Sequence, residues 1–79
     1  MRVNILLETG EVIMGASYEA VVLTLARTSH AKAENAMVWL REAAERARIY
    51  TGLDVSNHGA EGFLRDMERA GLLILEVEA

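Results

Sequence analysis

What constrains this chain most is an alternation that survives a turn. Val3, Ile5 and Leu7 alternate with Arg2, Asn4 and Glu8, and after Thr9-Gly10 the pattern resumes at Val12 and Met14. Side chains on a strand point to opposite faces with period two, so this pattern predicts a β-hairpin with one buried face. A two-residue loop at Thr9-Gly10 sets Leu7 opposite Val12, Ile5 opposite Met14 and Val3 opposite Ala16. That register also sets Glu8 opposite Glu11, a like-charge pair, so a bulged three-residue loop stands as the alternative.

The next segment mixes signals. Val21 to Leu25 have strand propensity, but Tyr18, Val21, Val22 and Leu25 share one helical face. Ser17 is placed to cap and Glu19 sits in the first turn, so a helix over residues Ser17 to Arg27 is expected. A longer helix is expected from Ala31 to Tyr50, with Thr28 or Ser29 as its cap. Its inward stripe is Ala33, Ala36, Met37, Leu40, Ala43, Ala44 and Ala47, and Gly52 ends it. A third helix is expected to begin after Asp54, Ser56 or Asn57 and run to Ala70, with Phe63, Leu64 and Met67 facing inward. Gly71 suits the left-handed position after it, where Leu72 meets Met67. Leu73, Leu75 and Val77 alternate with Glu76 and Glu78 and close the chain as a strand over Leu72 to Val77.

The element order is therefore ββαααβ: an α+β fold, one domain over residues 1–79, with a small three-stranded sheet and helices on one of its faces. A two-stranded hairpin is marginal alone, so the last strand is expected to pair with the first and place it mid-sheet.

Composition sharpens the reading. The chain has 79 residues and no cysteine, and only 5% of it is aromatic. A core this small, rich in alanine and without disulfides, buries little area per residue, which favours self-association. The longest apolar run, Ala20 to Ala26, is far shorter than the roughly 20 residues that cross a bilayer. The expected setting is cytoplasmic, without membrane contact.

Chemistry-bearing residues are sparse. His58 has Asp54 four residues before and Glu61 three after, a spacing that could face one metal ion on a continuous helix. The expected start of the third helix interrupts that geometry, leaving Asp54, Ser56 and His58 as capping or loop residues. A Ser, His, Asp triad from the same short stretch is disfavoured because triad members converge from distant segments. His30 has Ser29 and Lys32 nearby and no carboxylate to tune it, so it is expected at the surface. The glycines are scattered singly and make no phosphate loop. No cofactor is implied.

Two features point to contact with another protein. Trp39 and Tyr50 share a flank of the long helix with Ala43, where Trp39 either anchors an interface or closes the edge of the core. Leu6, Ile13 and Ile74 are expected on the outer sheet face, which then needs a cover.

Residues Phe63 to Leu73 resemble the close of a winged-helix domain, in which a recognition helix runs through a glycine into an apolar wing strand. The resemblance implies a nucleic-acid-binding regulator, with Arg41, Arg46 and Arg48 of the long helix as the basic contacts. Charge opposes it: from Thr51 to Ala79 two arginines stand against six acidic residues, a balance of −4 that equals the net charge of the whole chain. The leading expectation is a non-enzymatic protein-protein interaction module, homodimeric, with Leu6, Ile13, Ile74, Trp39 and Tyr50 at its contact surface. The alternatives are the winged-helix-like regulator and a small metal- or ligand-binding protein using His58.

Overall fold

In a computed structural model, which describes residues 1–29, 33 and 35–79, the order is β1 (Arg2–Leu7), β2 (Val12–Gly15), α1 (Tyr18–Thr28), α2 (Ala36–Thr51), α3 (Ala60–Arg69) and β3 (Leu73–Glu78). The ββαααβ order expected from the pattern is the observed one. The sheet is antiparallel in the order β2-β1-β3, so the first strand lies in the middle and the last strand pairs with it.

The hairpin closes through the bulged loop. Leu7 accepts from the Gly10 N–H and donates its own N–H to Glu11, both at 2.9 Å, and Gly10 alone takes a left-handed conformation at φ +89°. Tight two-residue hairpin turns want a positive φ at their first central position, which the β-branched Thr9 resists; a three-residue loop asks it only of Gly10. The consequence is a shift of one residue. Ile5 faces Ile13, Asn4 faces Met14 and Leu6 faces Val12, in place of the expected Ile5–Met14 and Leu7–Val12 pairs. A one-residue slip moves every side chain of a strand to the other face. Ile13, expected outside, is therefore buried with Val3 and Ile5, and Val12 and Met14 point outward.

The segment with mixed propensity is a helix. Ser17 Oγ accepts from the Ala20 N–H at 3.0 Å, and Val21, Val22 and Leu25 pack inward. Ser29 does not open the next helix, because its N–H donates to Leu25 and closes α1. The cap of α2 is Asn35, whose Oδ1 accepts from the Val38 N–H at 3.0 Å. Ala33 stands outside any helix, and the expected helix start at Ala31 and the places of His30 and Lys32 lie outside the described residues. The buried face of α2 is Trp39, Leu40, Ala43, Ala44 and Ala47, a stripe rotated from the expected one so that Met37 is exposed.

α3 starts later than expected, behind Gly59, with no side-chain cap. Its end is as the sequence predicts. The Leu72 N–H donates to Met67 at 3.0 Å and the Gly71 N–H to Glu68 at 2.9 Å, with Gly71 at φ +80°. This paired bonding ends the helix and turns the chain directly into β3. The core lies between the inner sheet face (Val3, Ile5, Ile13, Leu73) and the helices, with Phe63, Leu40, Leu64 and Val21 fully buried.

Because β1 is hydrogen-bonded on both sides, both chain ends are structural. Deleting Leu73 to Ala79 uncovers one edge of β1 and the Val3, Ile5 and Leu7 row, and the truncated chain is expected to lose its cooperative thermal transition, as followed by circular dichroism. A transition kept near the full-length midpoint would contradict this topology.

Candidate functional site: the open face of the sheet

α1 and α3 pack on one side of the sheet with α2 behind them, and among the described residues the other side is open. Alternation places Leu6 of β1, Val12 and Met14 of β2 and Ile74 of β3 on that side, exposed by 38%, 57%, 63% and 53%. Leu6 lies between Val12 and Ile74 across the three strands, and Met14 extends the patch along β2. With Asn4 and Glu76 these residues line a shallow depression of about 280 Å³. The far end of the face is polar: Arg2 pairs in register with Glu78, Asn4 with Glu76, and the Asn4 Nδ2 donates to Glu78 Oε2 at 3.4 Å. Asn4 Oδ1 is buried without a hydrogen-bond donor among the described residues.

The expected contact residues are thus divided. Leu6 and Ile74 meet on the open face as predicted, whereas Ile13 is 6% exposed and belongs to the core. Val12 and Met14 take its place, and the Thr9-Gly10 turn was the signal that could have found them. Trp39 is 7% exposed and lies edge-to-face on Phe63, with ring centroids 5.9 Å apart. It closes the core, and its Nε1 is buried without an acceptor among the described residues. Tyr50, one of the residues expected to share its flank, is 82% exposed at the end of α2. The two still border one groove of about 350 Å³ with Ala43, Ala47, Met67 and Leu72.

Asp54 and His58 lie in the loop before α3 and border a polar cleft with Arg48, Ser56 and Asp66; Glu61 is on α3 and does not join them. Among the described residues no three His, Cys, Asp or Glu side chains are grouped to hold a metal ion. Asp66 is engaged in structure, accepting from the Ser56 N–H at 2.9 Å and facing Arg69 at 3.3 Å. The Glu45 carboxylate holds Arg48 at 2.7 Å and, chiefly through that hydrogen bond, keeps its guanidinium above its ordinary pKa. Arg65 is likewise raised by its hydrogen bond to Glu61, and it also donates to Tyr18 Oη at 2.9 Å, tying α3 to α1. α3 does run through Gly71 into a strand, but that strand lies beside β1.

No known protein family, curated protein or solved structure matches this chain. Among the described residues no helix is long and apolar enough to cross a membrane.

The different positions of Trp39 and Tyr50 can be measured. Trp39→Ala removes a buried ring and is expected to cost about 3 kcal/mol in urea unfolding, whereas Tyr50→Ala should stay within about 0.5 kcal/mol of the parent. Equal effects of the two substitutions would contradict the placement of Trp39 in the core.

Proposed function

We propose that this chain is a non-enzymatic interaction module and that a second copy covers the open face of its sheet. The observation that carries the reading is the cluster of Leu6, Val12, Met14 and Ile74, contributed by all three strands and, among the described residues, covered by no helix. An antiparallel sheet with one solvated face ordinarily alternates apolar inside with polar outside, and half of this outer face departs from that rule.

A second copy fits because the face is divided lengthwise. Two sheets stacked about 10 Å apart with strands running oppositely would bring the apolar halves together, with Glu76 at the rim in the same row as Met14, and leave each Arg2 and Glu78 end beyond the overlap, where its charges stay hydrated. The contact is small. Two strands of six residues and one of four span at most roughly 14 by 20 Å, so the overlap covers less than about 280 Å² per protomer, against about 800 Å² per partner in an interface of standard size. The dimer is accordingly weak and reversible, with a Kd expected between about 10 μM and 1 mM. A cytoplasmic setting accompanies this reading, since a cysteine-free chain draws no benefit from an oxidising compartment.

Met14→Glu and Ile74→Glu place a charge on the face without touching the core. Sedimentation velocity across a concentration series should show the parent moving from monomer towards dimer and both variants remaining monomeric with an unchanged circular dichroism spectrum. A parent that stays monomeric at about 1 mM, or variants that associate as the parent does, would refute the proposal.

A further inference from the structure

The outer edges of the sheet are β2 and β3, and the longer of the two, β3, carries an unusual contact. The Leu75 N–H donates to Glu68 Oε2 at 2.8 Å. Glu68 belongs to α3, and the turn through Gly71 brings the start of β3 back beside the end of that helix. Since β1 lies on one side of β3 and this N–H turns to a helix carboxylate, the Leu75 N–H belongs to the free edge. The alternation of an antiparallel ladder puts the N–H groups of Leu73 and Val77 there as well. An exposed edge six residues long and rich in leucine, isoleucine and valine is a template for another strand, and proteins commonly obstruct such edges with charge.

The geometry points to Glu68 as a latch that holds the β3 edge closed against a second copy of β3. The sequence of the strand favours that occupant. Two β3 strands paired antiparallel about Leu75 set Leu73 opposite Val77, Ile74 opposite Glu76 and Leu72 opposite Glu78, so no carboxylate faces another and the opposed pairs are apolar or mixed. In that register the two Leu75 residues face each other and exchange the central pair of hydrogen bonds. This is the amide that Glu68 occupies. A strand approaching along the edge must displace the carboxylate and bring its own carbonyl oxygen towards a negative charge. The latch thus limits self-association to contacts made elsewhere and prevents growth of a continuous sheet across two molecules. This inference does not depend on pairing through the open face.

The test uses Glu68→Ala and Glu68→Lys, neither of which can accept from Leu75, beside Glu68→Gln, which keeps both reach and an acceptor oxygen. Alanine and lysine are good helix formers, so α3 is retained. All three are made in a Met14→Glu background, which removes association through the open face. Two readouts are followed: weight-average mass by sedimentation equilibrium, and exchange of the Leu75 amide by NMR. Glu68→Ala and Glu68→Lys are expected to raise the mass about twofold at concentrations where the background protein is monomeric. Their Leu75 amide should exchange about tenfold faster when dilute and regain protection as concentration rises. Glu68→Gln should match the background in both. If either opened variant folds and keeps the background mass with a concentration-independent Leu75 amide, the latch is refuted. Association of Glu68→Gln equal to that of Glu68→Ala would refute it too.

Discussion

The structure depends on one constraint: the described residues supply three helices, and all three lie on one side of a three-stranded sheet. The inner row of Val3, Ile5, Ile13 and Leu73 is covered by α1 and α3, and α2 packs behind them with its Trp39 on Phe63. Nothing among the described residues remains to cover the other side. A sheet in that position has to present either a polar outer face or a surface that something else covers. This chain does both at once, with charges at the Arg2 and Glu78 end and an apolar cluster at the Leu6 end.

What lies in that cluster is decided by a single turn. Gly10 accepts the left-handed conformation that Thr9 resists, the loop lengthens to three residues, and β2 is shifted by one position. The shift sends Ile13 inward, where it adds to the core, and sends Val12 and Met14 outward, where Val12 stands beside Leu6 and Met14 extends the patch along β2. A local backbone preference of one glycine thereby sets the chemistry of a surface formed by all three strands.

Much of the fold was legible in the residues for local reasons. Ser17 and Glu19 marked the start of α1 against the pull of its valines, and Gly71 with Leu72 and Met67 marked the end of α3, because caps and chain reversals are properties of a few adjacent residues. The central place of β1 followed from the weakness of an isolated hairpin. Other features needed tertiary information. Trp39 turns inward because Phe63, 24 positions away along the chain, offers its ring to be packed edge-on, and the stripe of α2 rotates with it until Met37 is outside. The start of α2 at Asn35 was hidden by two other capping candidates, Thr28 and Ser29, which instead finish α1. Half of the proposed contact surface, Leu6 and Ile74, could be read from alternation. The other half required weighing the turn chemistry of Thr9-Gly10 above the simplest register.

The central claim, that the open sheet face is where this protein makes contact, is tested most directly by a dilution series of methyl-labelled protein followed by NMR. The account predicts concentration-dependent shifts confined to the methyl groups of Leu6, Val12, Met14 and Ile74, with Leu23, Met37, Ile49 and Leu53 unmoved although they too are exposed. Shifts centred on the Leu23 and Met37 surface, or none at any methyl group up to about 1 mM, would contradict it.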